Sequence, residues 1–190
     1  MPENSRLVIL DRDGVINQDS DSFIRSPEEW HAIPGSLEAI ARLCREDYRV
    51  IVITNQSGIS RGYYSINTLN QIHQKLLEEL NHLGGEISAI FFCPHSDSDN
   101  CGCRKPKPGM FEEFSQRMNQ PLEEVYAVGD SLRDLQAAKT AGAKPVLVKT
   151  GKGNSTLEAM REKGIMEDVP VFADLNEFVD HHLSARPAEP

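Results

Sequence analysis

Two carboxylates one residue apart, Asp11 and Asp13, follow the short apolar run Leu7-Val8-Ile9-Leu10 and precede Gly14. The carboxyl end of a buried strand is where α/β sheets place their chemistry. Such a pair repels itself unless a cation shares it, and Mg²⁺, which prefers oxygen ligands, is the natural companion. Asp and Gly are also ordinary turn formers, so the tetrapeptide alone equally describes a solvated strand-to-turn junction. Three further polar clusters tip the balance. Val50-Ile51-Val52-Ile53 runs into Thr54-Asn55-Gln56-Ser57-Gly58, and Val125-Tyr126-Ala127-Val128 runs into Gly129-Asp130-Ser131-Leu132-Arg133-Asp134. Between them lies Arg104-Lys105-Pro106-Lys107-Pro108-Gly109. Together they supply a carboxylate nucleophile, a carboxylate cage for a metal, and hydroxyl, amide and cationic donors for charged oxygens. That inventory fits phosphoryl transfer.

A second constellation stands beside it. Cys93-Pro94-His95 and Cys101-Gly102-Cys103 place four soft or borderline ligands on a loop broken by proline and glycine. Three thiolates and one imidazole match a closed, tetrahedral structural Zn²⁺ site. The pairs are tighter than the common C-x₂-C spacing, and the alternative is free thiols with a Cys101–Cys103 redox pair. The last cysteine runs directly into Arg104 and Lys105. A zinc-stapled loop 93–103 would therefore hold two cations rigidly, and rigid placement is what phosphoryl-transfer catalysis needs. Cys44 reads as a core thiol on an apolar helix face. His31, His73, His82, His181 and His182 show no partner pattern and read as surface or structural residues.

The elements that must position these residues alternate along the chain. Strand-like runs occur at Leu7–Leu10, Val50–Thr54, Ile87–Phe92, Val125–Val128 and Pro145–Lys149, with a weaker one at Val169–Ala173. Apolar residues at 3.6 spacing from Ile66 to Leu83 predict a helix. Others are expected after Pro34-Gly35-Ser36, from Phe111 to Met118, near Ser155 and near Asp174. Ser131 with Asp134 reads as a capping box that opens one more, which Gly142 closes. That gives Asp134 a purely structural alternative, as the capping acid, beside any part in the site. Strands alternating with helices predict an α/β fold with a doubly wound parallel sheet. The polar stretch from Gln18 to Pro34 is too long for an idle loop, and suggests a lid or specificity segment, with Phe23 and Trp30 packed on the sheet.

Composition bounds the rest. The chain has 190 residues, 39% hydrophobic and 26% charged, which suits one domain over 1–183 with a flexible tail at 184–190. A formal net charge of −9 argues against nucleic acid or an anionic membrane as partner. No secretory signal or membrane-spanning run is readable, so a cytoplasmic setting is expected, and the four cysteines read as metal-bound or buried rather than disulfide-bonded. A monomer is expected.

The four phosphoryl-transfer clusters, taken in order, resemble the motifs of the haloacid dehalogenase superfamily. D-x-D-G is matched by Asp11, Asp13 and Gly14, the second motif by Thr54, the third by Lys105, and the fourth by Gly129-Asp130 with Asp134. The Cys-x-His and Cys-x-Cys loop running into Arg-Lys-Pro is similar to that of phosphatases acting on D-glycero-D-manno-heptose 1,7-bisphosphate and of related histidinol-phosphate phosphatase domains. So is the segment from Thr54 to Gly62. The resemblance implies a Rossmann-like fold with small inserted loops and no separate cap domain. It implies Asp11 as nucleophile forming an aspartyl-phosphate, Asp13 as acid and then base, and Thr54 and Lys105 on the transferring phosphoryl oxygens. Mg²⁺ would sit on the Asp11 side chain, the Asp13 carbonyl and Asp130. Zn²⁺ would be held by Cys93, His95, Cys101 and Cys103.

Substrate contacts are expected from Asp19, Ser20, Asp21, Ser22, Asn55, Gln56, Ser57 and Arg104. Ser131 departs from the pattern. Some relatives carry lysine there, able to touch a substrate phosphate, so the contact to the distal phosphate and the preferred anomer stay open at this position. The implied activity is removal of the 7-phosphate of a heptose 1,7-bisphosphate. Histidinol phosphate and a 3′-phosphorylated polynucleotide are rival substrates. The short sequence after the motifs speaks against a fused dehydratase of the histidinol type, and the charge speaks against polynucleotide. Outside enzymes, a receiver-like domain or a zinc-stabilised binding module are alternatives. The first has no place for the zinc loop, and the second sits poorly with four filled motifs.

Overall fold

The computed structural model describes residues 6–185. Six strands form one parallel sheet: β1 (Leu7–Leu10), β2 (Arg49–Asn55), β3 (Ala89–Cys93), β4 (Tyr126–Gly129), β5 (Lys144–Val148) and β6 (Val171–Phe172). Their spatial order is β3-β2-β1-β4-β5-β6. The chain winds outward from β1 in one direction and then, from β4, in the other. The reversal lies between β1 and β4, and open α/β sheets bind ligands at such a switch point.

The short aliphatic runs are explained by burial on both faces. Val8 and Leu10 of β1 and Val50 and Val52 of β2 point into one core, shared with Ile40 and Leu76. Leu7, Ile9, Ile51 and Ile53 point into the other, against Phe111, Phe114 and Ala137. The first face is covered by α1 (Ser36–Arg45), α2 (Ile66–His82) and α6 (Leu175–Ser184). The second is covered by α3 (Gly109–Met118) and α4 (Leu132–Thr140), and α5 (Gly153–Lys163) extends it against β5. Each crossover between adjacent strands carries one helix, and the described residues contain no second sheet that could act as a cap.

Most expected elements appear with shifts of one or two residues. β3 begins at Ala89 rather than Ile87, because Ile87 packs into the core before the ladder starts. Helix α6 runs through Ser184, one residue into the expected tail; 186–190 lie outside the described residues. The stretch after Asn17 contains a 3₁₀ turn at Pro27–Glu29 that Lys75 of α2 ties down, donating to the carbonyls of Pro27 and Trp30 at 2.9 Å each. Trp30 is fully buried in the core, whereas Asp19, Ser20, Asp21, Phe23 and Ile24 border a cleft. Among the described residues no helix is long and apolar enough to cross a membrane.

Candidate active site

A cleft of about 280 Å³ opens over the carboxyl ends of β1, β2 and β4. Asp11 directly follows β1 and its N–H donates to Val128 of β4 at 2.9 Å, so it is the last residue tied into the ladder. Asp130 directly follows β4, and Thr54 lies near the end of β2. Gly14 has φ +84°, and a Cβ there would meet Asp130 Oδ2 at 2.0 Å, so the loop after β1 can approach β4 only with glycine.

Lys105 joins the strand ends. Its ammonium is buried and lies 2.9 Å from Asp11 Oδ1, 2.8 Å from Asp134 Oδ1 and 2.8 Å from the Ile53 carbonyl. The loop that carries it is clamped by Asn55. The Asn55 side chain donates to the Lys105 carbonyl and accepts from the Lys105 N–H, both at 3.1 Å. With two carboxylates facing it, Lys105 is held above its ordinary pKa despite the opposing effect of burial. Asp134 is held below the usual carboxylate range: burial pushes the other way, and Lys105 and Ser131 outweigh it.

The carboxylates crowd around this one lysine. Asp11, Asp130 and Asp134 bring oxygens within 4.8 Å of one another. Burial, reinforced by Asp134 and Asp11, raises Asp130 to about 8. Burial also raises Asp11 to about 6, against the pull of Lys105 and with the push of Asp134 and Asp13. Hard oxygen donors that cannot all ionise beside one lysine are a donor set suited to Mg²⁺.

Asp13 lives in the opposite field. Arg12, fully buried, donates to both its oxygens, at 2.8 Å to Oδ1 and 2.9 Å to Oδ2. Asn17 donates to Oδ1 at 2.9 Å and Gln56 to Oδ2 at 2.8 Å. Burial pushes Asp13 up, yet Arg12 with Asn17 and Gln56 holds it below the usual range. Its side chain is not in the acidic cluster.

The four ligands of the loop converge. Cys103 Sγ is 3.2 Å from Cys93 Sγ, 3.4 Å from Cys101 Sγ and 3.3 Å from His95 Nδ1. Cys93 Sγ is 3.6 Å from both Cys101 Sγ and His95 Nδ1. A tetrahedron with ~2.3 Å metal–sulfur bonds has edges of about 3.7 Å, so the arrangement suits one zinc-sized ion. The cysteines form no disulfide.

The rim is charged. Arg104 donates to Asp97 at 2.7 Å, with Arg61 3.9 Å from the same carboxylate. Opposite, Lys152 lies 3.2 Å from Asp19 and 3.8 Å from Asp21, while its N–H donates to Asp130 at 2.7 Å. Asp19, Ser20, Asp21, Asn55, Ser57 and Arg104 border the cleft as expected. Two expected contacts lie off the cleft, and a third is on it with its amide already engaged. Ser131 does not line the cleft; it is buried, its backbone N–H donates to Asp134 Oδ2 at 3.0 Å as part of the α4 capping box, and its hydroxyl donates to the same oxygen. Ser22 is exposed, off the cleft, and its N–H donates to Ser20. Gln56 borders the cleft, but its amide is occupied by Asp13 and by Thr54 at 3.0 Å, and Tyr64 donates to its oxygen at 2.7 Å.

Residues 102–178 match the family described as HAD-hydrolase-like. The D-glycero-β-D-manno-heptose-1,7-bisphosphate 7-phosphatase of Bordetella bronchiseptica is 54% identical over 170 residues, covering 90% of this chain and 93% of that protein. Its namesake from Neisseria meningitidis serogroup A is 48% identical over 183 residues, covering 96% and 97%. The chain belongs to the D-glycero-D-manno-heptose-1,7-bisphosphate 7-phosphatase family of the haloacid dehalogenase superfamily. A crystal structure of the B. bronchiseptica phosphatase, complexed with magnesium and phosphate, superposes on it with a TM-score of 0.91 at 51% identity, covering 95% of this chain and 99% of that one.

For a heptose bisphosphate phosphatase of this family, several residues at the cleft or behind it do work that spacing alone does not reveal. Asp134 caps α4 and also faces Lys105, two tasks for one carboxylate, of which spacing reveals only the first. His73, expected as a surface or structural residue, is buried, as is Arg12; burial is invisible in sequence and arginine is rarely buried. Lys152 had a readable signal. Thr150-Gly151-Lys152-Gly153 follows β5, and strand carboxyl ends of such a sheet line the site.

Proposed function

We propose that this protein is a Mg²⁺-dependent phosphatase that removes the 7-phosphate of D-glycero-D-manno-heptose 1,7-bisphosphate. The observation that carries the reading is the convergence of Asp11, Lys105 and Asp130 at the β1/β4 switch point, in a chain so similar to named phosphatases of that substrate. Asp11 is the nucleophile. Its carboxylate oxygen attacks phosphorus in line, and the bond to the leaving sugar oxygen breaks as the aspartyl-phosphate forms. Asp13, ionised in the free protein, first takes up a proton, which it delivers to that leaving oxygen; the carboxylate so regenerated takes one from the water that hydrolyses the intermediate. Lys105 and Thr54 hold the transferring phosphoryl oxygens. Asp11, Asp130 and the Asp13 carbonyl would hold Mg²⁺, which when bound would supply charge to offset that of nucleophile and phosphate.

Zn²⁺ in the Cys93, His95, Cys101 and Cys103 cluster is structural, since four protein ligands leave no open position. The convergence of the four ligand atoms supports it. Asn55 and Ser57 on one side, and Asp19, Ser20, Asp21 and Arg104 at the rim, orient the substrate. We read the protein as a cytoplasmic monomer that does not bind nucleic acid, with the net charge of −9 in support.

Phosphate release across a panel tests the reading: heptose 1,7-bisphosphate in both anomers, histidinol phosphate, and a 3′-phosphorylated oligonucleotide. The heptose bisphosphate should give the highest kcat/KM, with activity absent without Mg²⁺. Preference for histidinol phosphate would overturn the substrate, and turnover without any divalent ion would overturn the mechanism.

A further inference from the structure

The conformation of Asp13 is set from a distance. Arg12 has no exposed surface, and three of its hydrogen bonds go to Asp13, from Nε at 3.2 Å and from Nη2 at 2.8 and 2.9 Å. Nη2 also reaches Gln56 Oε1 at 3.3 Å. Nη1 donates to His73 Nε2, 3.3 Å away, on α2 and 61 residues along the chain. His73 is itself buried and stands edge-on to Phe92, with ring centroids 6.3 Å apart. No motif of phosphoryl transfer includes it.

We propose that His73 is a positioning residue for proton transfer: by accepting from Arg12 it fixes the guanidinium plane that aims the Asp13 carboxylate into the cleft. The inference rests on Asp13 as the acid and base. A buried guanidinium has no water to satisfy its donors, so an acceptor behind it selects one orientation out of several. Only a neutral imidazole can accept, and burial together with the Arg12 charge pushes His73 down to about 3, so it is neutral wherever the enzyme works. Tyr64 supplies the parallel brace on the other oxygen, since it donates to Gln56, whose amide donates to Asp13. Loss of His73 frees one arm of Arg12 and lets the fork against Asp13 turn.

The test compares leaving groups. His73→Leu removes the acceptor, His73→Gln restores one, and Asp13→Asn serves as reference. Each is assayed by single-turnover phosphoryl transfer from heptose 1,7-bisphosphate and by the burst of nitrophenol from p-nitrophenyl phosphate. An alcohol leaving group needs the acid and a nitrophenolate does not. Positioned acid–base groups are worth about 10²–10⁴-fold, so His73→Leu should slow transfer from the sugar about tenfold or more and the nitrophenol burst less than about threefold. His73→Gln should recover most of the sugar rate, with KM unchanged in both variants. Equal loss for the two leaving groups, or full sugar activity in His73→Leu, overturns the proposal, provided Asp13→Asn shows the leaving-group dependence. If Asp13→Asn also fails to show it, the role of Asp13 falls, and the positioning role of His73 with it.

Discussion

Asp11 and Asp13 stand two positions apart on one strand end and occupy opposite fields. Asp11 shares a buried cluster with Asp130 and Asp134 and is raised to about 6, with only Lys105 to offset it. Asp13 is fastened by Arg12, Asn17 and Gln56 and held low. Asp11→Asn should therefore abolish turnover without unfolding the protein. An amide is no nucleophile, and the barrier reductions at stake in enzymes are roughly 8–23 kcal/mol. Removing one charge from a repelling cluster should also leave the metal-free melting temperature unchanged or higher. Thermal melts with a phosphate-release assay check both halves; near-normal activity in Asp11→Asn would falsify the covalent route. The nucleophile was legible in the sequence, because strand, carboxylates and glycine are contiguous. Its neighbour's fastening was not, because Gln56 and His73 reach Asp13 and Arg12 across 43 and 61 positions.

At the scale of elements, the N-terminus of α4 and the cysteine loop decide where Lys105 sits. Ser131 and Asp134 form the capping box read from their spacing, and the same Asp134 faces Lys105. The two tasks separate by mutation. Ser131→Ala removes a capping hydroxyl and should cost about 0.5–2 kcal/mol of stability with little loss of activity. Asp134→Ala leaves a buried ammonium with one partner fewer and should cost about 3–5 kcal/mol. Denaturant melts of the two variants measure the difference, and equal losses would reduce Asp134 to a cap. Cys101→Ser should loosen the loop, displace Arg104 and Lys105, and lower zinc content and activity together. The sheet survives because its strands bury their side chains without the loop. Metal analysis should find one zinc per native chain and far less in the variant. Helices and strands were legible here because their periodicity is local. The Asn55 clamp on Lys105 was not, since it joins positions 50 apart.

Over the whole molecule the acidic cluster couples stability to pH and to the metal. In the metal-free protein Asp130 keeps its proton up to about 8 and Asp11 up to about 6, whereas both lose it near 3.8 when unfolded. Between about pH 4 and 8 the folded state thus binds more protons than the unfolded chain, so this cluster's contribution to stability falls as pH rises. Asp13 and Asp134, held low, have the opposite sign, and their contribution is lost only as pH drops below about 4. Mg²⁺ must displace the retained protons, so it competes with both at pH 5.5 and with far fewer near pH 8, where Asp11 is ionised and Asp130 is partly so. The rise in melting temperature on adding saturating Mg²⁺ should therefore be larger at pH 8 than at pH 5.5, and Asp130→Asn should flatten the difference. EDTA should erase the Mg²⁺ effect and the activity while zinc stays in its sulfur and nitrogen cage, since the two donor sets select different ions. Activity should return with Mg²⁺ alone. A stabilisation by Mg²⁺ that is independent of pH would mean that the ion does not bind at Asp11 and Asp130.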